Sequence, residues 1–282
     1  MTRVAQGPLA WSGYINQVLD QAFGLERYPV SVVETAPLLS ARLFPDDPLT
    51  WIHGEPLQGL DGILAPDPRH RKGWAIFFNS AVQSRRRIRF TLGHEFGHYL
   101  MHRTNHQQGF QCVDREMFAT RRGNLRLEQE ADIFSAHFLM PMEDFQRQIA
   151  PGEFTDLATL SLCADRYGVS LQAVIRQWLR YTTRQALLVL SRDGFILWSE
   201  TSRSARRFRR FLRNHQAPVA IPATSLAACP GSIPYPREGT ALPKGTWFPD
   251  TETVEMVVIS RQYDCIISLL HLDVEDIGSG ET

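Results

Sequence analysis

The sequence predicts an α+β protein, with a helical first domain that includes a small β-hairpin or sheet and a smaller α+β second domain. Three observations predict it. Helically spaced apolar residues dominate the first two thirds, and strand-like runs around turn residues occur in two separate groups. Beyond Thr183 strands and proline-rich passages replace the long helices. The domains are therefore placed at residues 1–183 and 184–282.

Taken in order, Leu9, Ile15, Val18, Leu19 and Ala22 predict a helix over 8–23. The apolar segment 29–44 is broken at Pro37 and stopped by Pro45-Asp46-Asp47-Pro48. Runs over 57–64 and 74–78 read as a hairpin, with turn chemistry from Pro66-Asp67-Pro68-Arg69 and Lys72-Gly73. A helix over 84–102 follows, then a loop-rich connection over 103–124. Leu127, Ala131, Phe134, Phe138 and Leu139 predict a helix over 125–140, ended by Pro141. After Pro151-Gly152 come two short helices, 155–167 and 171–181, joined by Tyr167-Gly168-Val169-Ser170. In the second domain Ser191-Arg192-Asp193-Gly194 turns a hairpin between 186–190 and 195–200. A basic helix is expected over 202–213, a proline- and glycine-rich passage over 216–250, and closing strands over 254–260 and 263–272.

Composition narrows the function classes. Lys+Arg and Asp+Glu number 30 each in 282 residues, so no global field recruits nucleic acid or a membrane surface. No stretch approaches the ~20 apolar residues of a membrane span, and Met1 to Pro8 lacks the apolar run of a signal peptide. Cys112, Cys163, Cys229 and Cys265 are scattered without a CxxC pair, which fits reduced thiols in a cytoplasmic protein.

Chemistry concentrates in His94-Glu95-Phe96-Gly97-His98-Tyr99-Leu100-Met101-His102. On a helix, residues four apart differ by only about 40° in direction, so His94 and His98 can address one metal ion. Glu95 lies about 100° further round, outside the ligand row but within reach of a water molecule at that ion. A zinc site needs a third protein ligand. Glu128-Gln129-Glu130-Ala131-Asp132 supplies carboxylates on a second helix, with Glu128 and Asp132 sharing a face. We expect Glu128 to bind the metal and Asp132 to accept a hydrogen bond from the far nitrogen of a ligating histidine, with Glu130 as the competing ligand. Gly97, unfavourable inside a helix by about 1 kcal/mol, implies that another segment approaches closely there. His102, Tyr99 and His137 are candidates to stabilise an oxyanion.

The run Arg-Phe-Thr-Leu-Gly-His-Glu-Phe-Gly-His-Tyr-Leu-Met-His over 89–102, followed by Glu128, Asp132, Phe134, Ala136 and Leu139-Met140-Pro141, resembles the ImmA/IrrE family of zinc metallopeptidases. The resemblance spans roughly residues 30–182. It implies a gluzincin-like fold, zinc held by His94, His98 and Glu128, and Glu95 as the catalytic glutamate. It also implies a protein substrate such as a helix-turn-helix repressor or an antitoxin, in stress-response or mobile-element regulation. Asp132 stands where the family usually has asparagine.

Two further features have competing readings. Residues 160–177 resemble a helix-turn-helix, with Gln172, Arg176 and Gln177 able to enter a DNA groove, or else a helical pair packed beneath the site. Arg203, Arg206, Arg207, Arg209, Arg210 and Arg213 form either an anion-binding face for nucleic acid or an acidic partner, or a solvated surface pinned by Phe208 and Phe211. The alternative to a peptidase is a regulatory or DNA-associated binding protein whose metal site is structural.

Overall fold

The computed structural model describes residues 7–69, 72–113, 125–212, 218–229, 231, 239–260 and 264–272. The chain is a mixed α+β protein that divides into two compact units: Met1–Asp144 with Asp165–Ser170, and Phe145–Ala164 with Leu171–Thr282. The division is not a single cut near 183, because most of the paired helices over 157–181 group with the second unit.

The first unit opens with α1 (Pro8–Phe23), whose proline occupies a first-turn position where its missing N–H breaks no helical bond. Next, α2 (Val32–Leu43) runs through Pro37 rather than breaking there. The bond that Pro37 forfeits is the one to Val33, an exposed position where water can serve the carbonyl.

Four strands follow the order β1-β3-β2-β4, with β1 at Leu49–Glu55, β2 at Leu60–Pro66, β3 at Trp74–Asn79 and β4 at Phe110–Val113. The hairpin forms as its turn residues predict, with β2 antiparallel to β3. Neither β1 nor β4 was expected: β1 pairs parallel to β3, and β4 pairs antiparallel to β2 inside the supposed loop. Both hairpin strands are therefore interior, and among the described residues β1 and β4 form the sheet edges.

Against this sheet lies α3 (Arg85–Met101), entered at Ser84, whose hydroxyl accepts a hydrogen bond from the Arg87 N–H. From Leu92 to Leu100 it is buried without interruption, lying on β2 and β3 and packing against α4 (Leu125–Leu139), α1 and α2. Two glycines permit the helix contact. A Cβ on Gly97 would stand 2.9 Å from Phe134 Cδ1 and 3.3 Å from the Ala131 Cα, and one on Gly93 would stand 2.6 Å from Ser135 Oγ. The close approach expected at Gly97 is therefore that of α4.

Beyond α4 come α5 (Met142–Gln148), which the sequence reading missed, then α6 (Leu157–Tyr167) and α7 (Leu171–Tyr181). The arginines opening α3 have partners. Arg87 pairs with Asp61 of β2 at 2.8 Å, Arg86 pairs with Asp165, and Arg89 donates to the Gly168 carbonyl at 2.8 Å.

The second unit contains a six-stranded antiparallel sheet of order β7-β6-β5-β10-β9-β8. Its strands are β5 (Ala186–Arg192), β6 (Phe195–Thr201), β7 (Val219–Ala220), β8 (Thr240–Leu242), β9 (Thr253–Ser260) and β10 (Cys265–His271). One core gathers Leu187, Val189, Trp247, Val257 and Leu270. On α7, Val174, Ile175, Trp178 and Leu179 are buried, and the helix packs on β5 and β6. Two of the three residues offered for groove reading are committed elsewhere: Arg176 pairs with Glu200, and Gln177 is fully buried and accepts from Arg180.

The basic helix is shorter than expected. As α8 it covers only Arg203–Arg207, because Arg209 turns left-handed at φ 58° and Phe208 and Arg210 both donate backbone N–H groups to the Ala205 carbonyl. Phe208 and Phe211 are exposed rather than pinned to the core. Arg210 pairs with Asp250, and Arg213 lies outside the described residues.

Candidate metal centre

On α3 the spacing of His94 and His98 brings their Nε2 atoms within 3.0 Å of each other. Glu128 reaches across from the first turn of α4, its Oε2 3.3 Å from His94 Nε2 and its Oε1 3.3 Å from His98 Nε2. In a tetrahedral zinc site with bonds of roughly 2.0 Å, ligand atoms lie roughly 3.3 Å apart. The donor set therefore fits: two imidazole nitrogens and a carboxylate converge at the spacing one cation requires, and the three residues form a group able to hold a metal ion.

Electrostatics favour the forms a metal needs. Burial pushes the His98 imidazole down to about 4, His94 adds to the depression and Glu128 opposes it, so His98 is neutral near pH 7. Burial alone would raise the Glu128 carboxyl, but the His94 and His98 rings that face it outweigh burial and hold the group well below the usual carboxylate range.

The side chains behind the ligands are also placed. Asp132 Oδ1 lies 3.0 Å from His94 Nδ1. Since Nε2 faces the cluster, the His94 proton belongs on Nδ1, donated to Asp132. Glu130 is not part of the cluster; it contacts His102 at 3.1 Å and accepts from Arg126 at 2.8 Å. Its direction follows from helix geometry, since two residues turn it about 200° from Glu128.

The three oxyanion candidates lie elsewhere. The Tyr99 hydroxyl donates to the Asp47 carbonyl at 2.7 Å, its ring set against Phe44 and Phe96. His102 Nδ1 is 2.9 Å from His98 Nδ1, behind the ligand rather than in front of it. His137 is nine residues from Glu128, about half a turn round α4, and its carbonyl accepts from Asn16 of α1.

Glu95 is fully buried on the sheet side of α3. A Cβ at Gly62 of β2 would lie 2.6 Å from Glu95 Oε1 and 2.7 Å from the Thr91 methyl carbon. Gly62 thus leaves room for this carboxylate, and the neighbouring Asp61–Arg87 ion pair ties the same part of β2 to α3. Phe110 of β4 stacks on His98, with centroids 4.3 Å apart and planes at 22°. Sequence reasoning missed Gly62, Asp61 and Phe110. The first two sat unread inside a predicted strand, and Phe110 sat in a segment taken for a loop.

Two packed helices bring His94, His98 and Glu128 to one point, a donor set compatible with a metallopeptidase. Residues 52–179 match the M78 peptidase family, described as an IrrE N-terminal-like domain. The match begins in β1 and ends in α7, and it contains every residue of the cluster. No curated protein matches the chain. Among the described residues no helix is long and apolar enough to cross a membrane.

Proposed function

We propose that this protein is a zinc-dependent endopeptidase with a gluzincin-like site, acting on one or a few protein substrates in the cytoplasm. The observation that carries the reading is the convergence of His94 Nε2, His98 Nε2 and the Glu128 carboxylate within 3.0–3.3 Å, one residue from a buried glutamate. His94, His98 and Glu128 would hold the zinc, which when bound would supply Lewis acidity toward a peptide carbonyl and a water molecule. Glu95 takes a proton from the attacking water as its oxygen bonds to the carbonyl carbon. The same carboxyl then gives that proton to the amide nitrogen as the C–N bond breaks, so the products leave as a free acid and an amine. Asp132 holds His94 in the tautomer that leaves Nε2 available for the metal.

Substrate enters against β4, an edge strand among the described residues whose Phe110 touches His98. An extended peptide added to that edge gains backbone hydrogen bonds while its scissile bond lies near the ligands. The hairpin strands, paired on both sides, cannot serve. The substrate of this proposal is a repressor or antitoxin, in stress-response or mobile-element regulation, a choice that rests on the family resemblance of the sequence alone.

A second reading, a DNA-associated regulatory protein with a structural metal site, draws on the exposed Arg203, Arg206, Arg207 and Arg209 beside Phe208, which is 63% exposed. One variant separates the two. Glu95→Gln should retain zinc yet leave uncut a protein that the wild type shortens on co-expression with neighbouring genes. If both forms shorten the same protein equally, Glu95 is not the base and the peptidase assignment fails.

A further inference from the structure

The two histidine ligands are supported in different ways. His94 Nδ1 meets a carboxylate directly, 3.0 Å from Asp132 Oδ1. His98 Nδ1 instead meets another imidazole, His102 Nδ1, at 2.9 Å. Beyond it His102 Nε2 lies 3.1 Å from Glu130 Oε2, and Glu130 Oε1 accepts from Arg126 Nε at 2.8 Å. Every functional atom along His98, His102, Glu130 and Arg126 thus has a successor.

We propose that His102, Glu130 and Arg126 form a positioning chain that sets the tautomer and ring orientation of His98. The inference rests on the reading that His98 binds a metal through Nε2.

Hydrogen-bond arithmetic leaves one arrangement. With Nε2 given to the metal, neutral His98 carries its proton on Nδ1. One hydrogen occupies the space between two Nδ1 atoms, so His102 Nδ1 is the acceptor. Neutral His102 then carries its own proton on Nε2 and donates it to Glu130. Glu130 accepts again from Arg126, whose positive charge balances the carboxylate at the outer end. All the ring hydrogen bonds run outward, leaving electron density at His98 Nε2, as a carboxylate does when it backs a ligating histidine directly.

Placement supports the same role. His102 is the last turn's continuation of the His94–His98 row, four residues on, and caps α3 with its backbone N–H donated to the His98 carbonyl. Phe110 lies flat on His98 and flanks His102 at 5.8 Å, shielding the bond between the rings from water. Both His98 and His102 are buried, whereas the Arg126 side chain is 89% exposed. The chain therefore runs from the metal cluster to solvent on α4.

The test is zinc affinity of the full-length protein, measured by competition with a chromophoric chelator, for wild type, His102→Ala, His102→Asn and Glu130→Ala. Loss of the acceptor in His102→Ala should weaken zinc roughly 10–100-fold at unchanged stoichiometry. His102→Asn places an amide oxygen where Nδ1 stood and should restore most of the affinity. Glu130→Ala should fall between. On wild type alone, ¹⁵N NMR of the zinc-loaded protein should show His98 protonated at Nδ1 and His102 protonated at Nε2. Full zinc affinity in a folded His102→Ala protein, or a His102 ring protonated at Nδ1, would overturn the chain and leave the metal reading intact. Failure of the wild type to bind zinc would overturn that reading and this inference with it.

Discussion

Both units of the molecule bury ionisable side chains, and they do so to different effect. In the first unit His94, His98 and Glu128 direct ring nitrogens and a carboxylate at one another over 3.0–3.3 Å. Once Asp132 and His102 have fixed both ring protons on Nδ1, the atoms facing the centre are all acceptors, an arrangement that a cation completes. In the second unit the fully buried Glu255 is met by three neutral donors: Ser225 Oγ at 2.8 Å, the Leu226 N–H at 2.9 Å and Trp247 Nε1 at 3.2 Å. His271, equally buried, has Nε2 2.9 Å from the Thr155 carbonyl, Phe154 and Trp178 beside its ring, and an Nδ1 with no hydrogen-bond partner among the described residues. Burial alone therefore does not mark a site. What marks it is the convergence of donor atoms from three residues on one point at ligand spacing.

The sharpest test of the satisfied side is Glu255→Leu. It leaves three donors without their acceptor, each costing about 1–3 kcal/mol, so denaturant unfolding should show a loss of about 4 kcal/mol. Zinc stoichiometry of the folded fraction should not change. A loss below about 1 kcal/mol would mean the three donors find other partners.

His271 provides the next largest effect. Burial pushes it down to about 4, with the Thr155 carbonyl opposing, so the unfolded chain takes up a proton at higher pH than the folded one. Stability is then greatest above about pH 6.5, falls as pH drops, and by pH 4 has lost about 3 kcal/mol from this group. Unfolding at pH 7 and pH 4.5 should differ less in His271→Leu than in wild type. An identical pH dependence in the two proteins would remove His271 as a contributor.

Two glycine substitutions probe the metal-site side. Gly97→Ala forces a methyl against Phe134 and the α4 backbone and should cost about 2 kcal/mol of stability, with weaker zinc binding as α3 and α4 separate. Gly62→Ala crowds the Glu95 carboxylate and should lower kcat about 10-fold, about 1.4 kcal/mol, while zinc affinity stays near wild type. Equal losses of kcat and zinc affinity would mean that β2 shapes the ligands rather than Glu95.

Much of this site was legible in the sequence because it depends on helix periodicity. His94 and His98 four apart, and Glu128 with Asp132 four apart, must share faces wherever the helices pack, and Gly97 announced the packing partner. The same angular grounds favoured Glu128 over Glu130 while leaving Glu130 as the competing ligand. What stayed hidden depends on pairing between distant segments. Gly62 matters only because β2 lies on α3, and Phe110 matters only because β4 joins the sheet beside β2. His102 was visible as a third member of the histidine row, yet its role depended on which way both ring nitrogens faced. In the second unit the hairpin over Ala186–Thr201 followed from Asp193-Gly194. The end of α8 did not, because a run of arginines carries no stop signal and the left-handed turn falls on Arg209.

The central claim is that His94, His98 and Glu128 are brought together to bind one metal ion. It is tested most directly by metal analysis of the purified protein after zinc loading and removal of excess. Wild type should hold one zinc per chain, and His94→Ala and Glu128→Ala should each lose it while remaining folded. Full stoichiometric zinc in His94→Ala, or none in wild type, would contradict the account.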